Sequence, residues 1–189
     1  WTLSNPSFED RDGTVTITIA KAPLHLTVTK TVTYGDAVPT SYTIGYSSGD
    51  FYSPDTSAVA SGDLACTTTY TQGSSVGTYR VDCTVGTLAA TNYRFVSGWA
   101  GAGSTYDTAL SAGSPIRLGT LTVEQAPMHV TVSHTAVTYG DGAPSSWTTS
   151  YSSGDLYGAD TLGVFSGDLA CSTAYAQGSA VGSYAIECT

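Results

Sequence analysis

The chain has 189 residues, 41% of them apolar and only 11% charged, which is enough to build one large or two small folded domains. Its net charge of −9 repels phosphate backbones and anionic lipid, so nucleic acid and membrane surfaces are not expected as partners. No apolar run approaches the ~18 residues of a membrane helix, so membrane insertion is not expected either.

The first predicted strand lies in the N-terminal segment, residues 1–20. Val15, Ile17 and Ile19 alternate with threonines, and this period of two is typical of a half-buried strand. The stretch TVTITIAKAP at 14–23 parallels GTLTVEQAP at 119–127. We therefore interpret residues 1–20 as the closing strands of a preceding repeat, or as a segment donated to another molecule.

Three later stretches show the same alternation. Glycine with Asp, Ser or Asn separates them, as turns require, and no stretch has helical periodicity. An all-β fold of immunoglobulin-like β-sandwich domains is the simplest prediction. The alternating apolar positions are Leu24, Leu26 and Val28, then Tyr79, Val81 and Cys83, and finally Met128, Val130 and Val132.

A long internal repeat organises the chain. The hexapeptide SGDLAC at 61–66 returns at 166–171, which is 105 positions later, and TYGD and YSSGD repeat at the same spacing. Around these motifs about 32 of roughly 52 aligned positions are identical, and a period of this length fits a β-sandwich domain. We predict a complete repeat over residues 21–124 (copy 1) and a second repeat over residues 125–189 that lacks its closing strands (copy 2).

Each copy contains two cysteines in the pattern C-x16-C. We predict the disulfides Cys66–Cys83 and Cys171–Cys188, each contributing about 3 kcal/mol on the chain-entropy estimate. Zinc is the alternative, but the chain offers no CxxC pair and no paired histidine nearby. Disulfides indicate an oxidising location, so we expect a secreted or cell-surface protein.

The order of motifs along the chain resembles one repeat family. KAPLHLTVTKTVTYGD, YSSGD, VGTYRVDCTV, LAATNYRFV and GTLTVEQAP follow one another as in the MBG repeats (YGX/YDG type) of bacterial surface proteins and adhesins. This resemblance covers nearly the whole chain. It implies tandem immunoglobulin-like modules with a structural or adhesive role, and it brings no catalytic residues. The cysteine pairs and the Gly/Ala/Ser-rich stretch 97–118 depart from the family pattern.

No side-chain constellation suggests catalysis, a cofactor or a metal. His25 and His129 fall on the outward phase of strands and are interpreted as surface residues, and neither a GxSxG elbow nor a triad is evident. We therefore expect no enzyme. Calcium at junctions between copies is a weaker hypothesis, because an acid beside glycine is typical of a turn. The acids concerned are Asp36, Asp50, Asp63, Asp141, Asp155 and Asp168.

The stretch 97–118 contains two aromatic residues, Trp99 and Tyr106. Exposed aromatic rings on a loop can stack on sugars or insert into a protein partner, so both are candidate partner contacts. The alternative, which we favour, is an insertion whose aromatic rings pack back onto the domain.

The expected function is that of a structural module in a bacterial extracellular fibre, stalk or adhesin. Its partners would be other copies of itself or neighbouring repeats, assembled head to tail with residues 1–20 of one subunit completing residues 125–189 of another. Three alternatives remain open at this point. In the first, the chain is a segment of a longer tandem-repeat protein. In the second, it binds a surface glycan or protein through the 97–118 loop, and in the third it is an accessory domain of an enzyme.

Overall fold

The computed structural model describes residues 2–102 and 106–189. Within these ranges the regular structure is β-strand with short 3₁₀ turns, and no helix there is long and apolar enough to cross a membrane. The prediction of an all-β fold is confirmed. The strands are β1 Thr2–Asn5, β2 Phe8–Asp12, β3 Ala22–Thr33, β4 Thr43–Tyr46, β5 Ala65–Thr68, β6 Gly77–Thr84, β7 Tyr93–Ser97, β8 Ile116–Glu124, β9 Val130–Ser133, β10 Thr148–Tyr151, β11 Cys171–Thr173 and β12 Ile186–Cys188.

Four 3₁₀ turns complete the secondary structure of the described residues. Two lie in each copy, at corresponding positions of the repeat, which indicates that the local sequence determines them. They are Ser48–Asp50 and Ser57–Val59 in copy 1, and Ser153–Asp155 and Leu162–Val164 in copy 2.

The chain divides into two compact units. Because the boundary falls within β3, β6 and β8, copy 1 contributes residues to both units, whereas copy 2 lies entirely in unit 2. The predicted repeat boundaries stay a prediction. Unit 1 comprises the described residues of Trp1–Thr29, Tyr42–Thr68 and Arg80–Thr120, and unit 2 comprises Lys30–Ser41, Thr69–Tyr79 and Leu121–Thr189.

Copy 1 forms one sheet with the strand order β4-β3-β8-β6-β5, and β7 pairs in parallel with β3. The predicted alternation on β3 is confirmed, since Leu24, Leu26 and Val28 are buried and the residues between them are only half-buried. Buried apolar residues of unit 1 are Leu24, Leu26, Val28, Val81, Cys83, Leu88, Tyr93, Phe95, Val96 and Leu118. Those of unit 2 are Val32, Tyr70, Leu121 and Val123.

Copy 2 forms two separate hairpins, β9–β10 and β11–β12. They correspond in the repeat to β3–β4 and β5–β6. No strand of the described chain joins β9 to β12, whereas β8 lies between β3 and β6 in copy 1. None of residues 125–189, all of which are described, is buried. Copy 2 therefore has the local elements of the repeat without a closed core.

Both predicted disulfides are present. Cys66 lies opposite Cys83 on the β5–β6 hairpin, and Cys171 lies opposite Cys188 on β11–β12. Each bridge joins neighbouring strands of one hairpin, and all four cysteines are bridged. This confirms the prediction of one disulfide in each copy.

The N-terminal segment differs from the prediction. Residues 2–12 form the hairpin β1–β2, which no sequence pattern predicted, and Trp1 lies outside the described residues. Residues 13–21 form no strand, and Val15, Ile17 and Ile19 are exposed. The prediction of a half-buried strand here is wrong for the single chain, because no other described segment pairs with these residues or covers their apolar side chains.

Candidate functional site

The first candidate site is a contact between two copies of the repeat, and all of its residues belong to unit 2. We call it the junction site: Tyr34, Gly35 and Gly73 of copy 1 with Tyr157 and Asp160 of copy 2. The Tyr34 hydroxyl donates a hydrogen bond to Asp160 Oδ2 at 2.9 Å, and its ring meets the Tyr157 ring edge-on, with centroids 5.8 Å apart. The contact thus combines a hydrogen bond to a carboxylate with aromatic packing.

The copy 1 side of the junction site is a rigid turn formed by TYGD. The Asp36 carboxylate accepts the Thr33 backbone N–H at 2.7 Å, and Gly35 has a φ of +93°, a conformation that favours glycine. Tyr70 Oη donates to the Asp36 carbonyl, and Gln72 Nε2 donates to the Gly35 carbonyl at 2.9 Å. These bonds fix the turn before any loop docks on it.

Copy 2 builds the same turn with the equivalent residues. The Asp141 carboxylate accepts the Thr138 backbone N–H at 2.8 Å. Tyr175 Oη donates to the Asp141 carbonyl, and Gln177 Nε2 donates to the Gly140 carbonyl, each at 2.8 Å. The docking surface is therefore formed at both TYGD motifs, although only the first one carries a loop.

Two glycines make room for Tyr157 in the junction site. A Cβ on Gly35 would lie 2.9 Å from Tyr157 Cδ2, and a Cβ on Gly73 would lie 2.8 Å from Tyr157 Cε1. Both glycines also have positive φ, which by itself favours glycine in these turns. A side chain at either position would therefore strain the turn and displace the tyrosine.

Contacts within the junction site make the Tyr34 hydroxyl less acidic. The hydrogen bond to the Asp160 carboxylate, and after it burial, raise the pKa of Tyr34, because both favour the neutral form. Tyr34 is consequently a neutral donor at physiological pH. The arrangement is suited to holding two repeats together.

The second candidate site is an open groove in copy 2. It has a volume of about 380 Å³ and is lined by residues that follow β9 and by the β11–β12 hairpin, including Val137, Tyr175 and Ile186. Their counterparts in copy 1 are core residues, the buried Val32, Tyr70 and Val81. The copy 2 groove therefore exposes the side chains whose counterparts form the core of copy 1, where β7 and β8 are present.

The exposed N-terminal segment matches β8 in its apolar pattern. Ile17 and Ile19 are 84% and 91% exposed, and in the repeat they correspond to Leu121 and Val123, which are buried. Val15 differs, because its counterpart Gly119 has no room for a Cβ beside the Val28 carbonyl oxygen. We call residues 14–20 the donor segment, with Ile17 and Ile19 as its two matching positions.

The two predicted partner-contact residues, Trp99 and Tyr106, pack against other residues of copy 1. Trp99 is half-buried, with the Arg117 guanidinium 4.7 Å from its ring centroid. Tyr106 stacks on the His25 ring at 4.8 Å and remains partly exposed. Residues 103–105 of the predicted loop lie outside the described residues. The packing agrees with the interpretation that these rings fold back, and a role in partner contact stays a prediction.

One side-chain pair occurs in both copies and was not predicted from the sequence. His25 Nδ1 lies 2.8 Å from Asp50 Oδ2, which also accepts the His25 backbone N–H at 2.7 Å. His129 and Asp155 form the same pair at 2.9 and 2.7 Å. The prediction of a surface position is wrong for His25, which is half-buried between Asp50 and Tyr106. The recurrence of both residues at the repeat spacing was the available signal.

Four of the six Gly-Asp acids accept hydrogen bonds within turns or from these histidines. Asp36 and Asp141 close the TYGD turns, and Asp50 and Asp155 accept from the histidines. In residues 2–102 and 106–189, no group of three or more His, Cys, Asp or Glu side chains could hold a metal ion. The backbone N–H of His129, and then its ring, lower the pKa of Asp155 because they stabilise the carboxylate.

Comparison with known proteins identifies one family. A model described as the MBG domain (YGX type) matches residues 26–98 and 128–189. No curated protein and no solved structure shows a significant similarity to the chain. The matched segments contain both TYGD turns and both disulfide hairpins.

Proposed function

Because the chain belongs to the MBG domain (YGX type) family, we propose that it is a structural repeat module of a bacterial extracellular fibre, stalk or adhesin. The two disulfide hairpins support a location in an oxidising compartment, at the cell surface or in the medium. Its task is mechanical: folded copies provide length and resist unfolding and proteolysis. The proposal assigns it no catalytic activity.

The proposal includes head-to-tail assembly by strand complementation. The donor segment, residues 14–20, of one molecule fills the copy 2 groove of another and takes the place that β8 takes in copy 1. The observation that carries this proposal is the contrast between the strand orders, since β8 lies between β3 and β6 while β9 and β12 have no strand between them in the described chain. A segment that bonds to both hairpins would also remove two exposed strand edges.

The apolar side chains supply the driving force for this assembly. Burial of Ile17 and Ile19 is expected to contribute roughly 1.5–3 kcal/mol each. The cost of ordering the donor segment and of joining two molecules offsets part of this gain. Association should therefore depend strongly on these two side chains and on protein concentration.

Sedimentation velocity over a range of concentrations tests this assembly. We expect the 189-residue protein to associate, and the double variant Ile17→Asp/Ile19→Asp to stay monomeric, because a carboxylate cannot enter the apolar groove unpaired. Thr18→Asp is the matched control, since it adds a charge on the opposite face of the same segment, and this variant should still associate. A monomeric wild type, or association that is indifferent to positions 17 and 19, would reject strand donation between molecules.

A binding role for the 97–118 stretch is the second candidate. The partly exposed Tyr106 ring supports it, because aromatic rings stack on sugars. A glycan array that compares wild type with Tyr106→Ala and Trp99→Ala tests it. Specific binding that both variants lose would favour this role, and binding no greater than background for the wild type would remove it.

A further inference from the structure

We propose that copy 2 carries a second docking surface, formed by Tyr139, Gly140 and Gly178, and that its occupant is the Tyr52–Asp55 loop of a second copy of this chain. The inference rests on the proposed head-to-tail assembly and names the surface through which the molecules meet. It follows from the junction site, where the equivalent surface of copy 1 holds the equivalent loop of copy 2.

All five residues of the junction site recur with the same residue type at the repeat spacing. The recurrence includes the residues of the docking surface and the residues of the loop that docks on it, so each copy has both halves of one interface. The pairs are Tyr34 and Tyr139, Gly35 and Gly140, Gly73 and Gly178, Tyr157 and Tyr52, and Asp160 and Asp55.

The docking surface of copy 2 is exposed. Tyr139 is 69% exposed, and no atom lies within 4 Å of a Cβ built on Gly140 or on Gly178. At the junction site the Tyr157 ring occupies this space. Since the hydrogen bonds of the Asp141 turn already hold the surface in shape, a loop can dock without reorganising it.

The loop of copy 1 that corresponds to the docked loop is also exposed. Tyr52 is 76% exposed, and the Asp55 backbone N–H donates to the Tyr52 carbonyl at 2.7 Å, as Asp160 does to Tyr157 at 3.0 Å. Both loops therefore close with the same backbone hydrogen bond between Asp and Tyr, although their inner residues differ, with a cis Ser53–Pro54 bond in one loop and Gly158 at a φ of +60° in the other. Asp55 Oδ2 accepts the hydroxyl of Tyr93, and a carboxylate has further acceptor sites for the hydroxyl of Tyr139.

Strand donation and loop docking require the same neighbour. In this chain the strand that closes copy 1, β8, leads within a few residues to β9 of copy 2, and the loop of copy 2 docks on copy 1. The donor segment 14–20 likewise leads directly to β3. A second molecule that fills the copy 2 groove thus brings its own Tyr52 loop to Tyr139. Because the two halves differ, the contact is heterologous and repeats head to tail, as an open filament or as a closed ring.

Photo-crosslinking between differently labelled molecules tests the docking surface. Benzoylphenylalanine replaces Tyr52, isotope-labelled and unlabelled proteins are mixed, and irradiated products are mapped by mass spectrometry. We expect cross-links from position 52 to residues 138–141 or 176–179 that join a labelled to an unlabelled chain. Tyr139→Ala should remove most of this product.

The same reagent at position 157 is the matched control. It should link to residues 34–36 or 72–74 within one chain, because Tyr157 occupies the junction site. If this control reacts while position 52 gives no mixed-isotope product at 138–141 or 176–179, at the highest concentration at which the protein stays in solution, the docking surface is overturned.

Comparison of three variants separates this inference from strand donation. If association persists unchanged in Tyr52→Ala and in Tyr139→Ala but is lost in Ile17→Asp/Ile19→Asp, docking fails and strand donation stands. If cross-links from position 52 to Tyr139 survive in Ile17→Asp/Ile19→Asp, docking stands and strand donation fails.

Discussion

Tyr70 of copy 1 is buried, whereas its counterpart Tyr175 of copy 2 is only half-buried, although both donate a hydrogen bond to the turn aspartate of their own copy. Val81 and Ile186 differ in the same way. The local sequences of the two copies are similar, and their hairpins, 3₁₀ turns and disulfides correspond. Copy 2 has no counterpart of β7 or β8 in the described chain, so closure of the core depends on these two strands and not on the motifs that both copies share.

The largest expected effect comes from opening copy 1. Leu121→Ala removes a fully buried side chain of β8 and should destabilise copy 1 by about 2–5 kcal/mol, as large-to-small changes in a core do. Chemical denaturation measures the loss, and Thr122→Ala on the other face of β8 is the control. If both variants unfold at the same denaturant concentration, β8 does not close the core.

Removal of a disulfide tests the hairpins of the two copies against each other. The double variant Cys66→Ser/Cys83→Ser should lose about 3 kcal/mol, the chain-entropy value for a loop of this length. Cys171→Ser/Cys188→Ser removes a bridge of the same sequence separation from a copy without a closed core. Hydrogen exchange should therefore show that loss of its own disulfide opens the β11–β12 hairpin further than loss of the other disulfide opens the β5–β6 hairpin. Equal protection of both hairpins would contradict the contrast between the copies.

A smaller effect is expected from the hydroxyl group of the junction site. Tyr34→Phe keeps the ring against Tyr157 but loses the bond to Asp160, so amide exchange over residues 157–160 should accelerate. Tyr139→Phe is the matched change in copy 2 and should leave the exchange of monomeric protein unchanged. Because the pKa of Tyr34 is raised, its contribution is complete below the ordinary pKa of about 10 and is lost as pH rises through the folded pKa. Exchange of residues 157–160 that is indifferent to Tyr34→Phe would contradict this.

The smallest expected effect concerns the His129–Asp155 pair at low pH. Because the pKa of Asp155 is lowered, its stabilising contribution is present above the ordinary carboxyl pKa and is lost as pH falls through the folded pKa. An NMR titration of the Asp155 carboxyl should give a midpoint below that of an unstructured aspartate. In Asp155→Asn the protection factor of the His129 amide, which compares its exchange rate with that of an unstructured amide at the same pH, should lose its dependence on pH in this range, and retention of that dependence would reject the assignment.

The sequence predicted what short-range patterns determine. Alternation identified β3, the spacing identified both disulfides, and the TYGD motif identified the turns. The same alternation failed at Val15, Ile17 and Ile19, because a strand needs a partner and this segment has none in the described chain. The pairing of His25 with Asp50 and the junction site escaped prediction, because each joins residues that are distant in sequence, and their recurrence at the repeat spacing does not say which residues meet.

The central claim is that the copy 2 groove accepts the donor segment, and an NMR titration tests it most directly. Labelled Ile17→Asp/Ile19→Asp protein, which cannot donate its own segment, is titrated with an unlabelled peptide of residues 14–20. We predict shifts at Val137, Tyr175 and Ile186 and slower amide exchange along β9 and β12. No shift at these residues, or equal shifts with a peptide that carries both aspartates, would contradict the account.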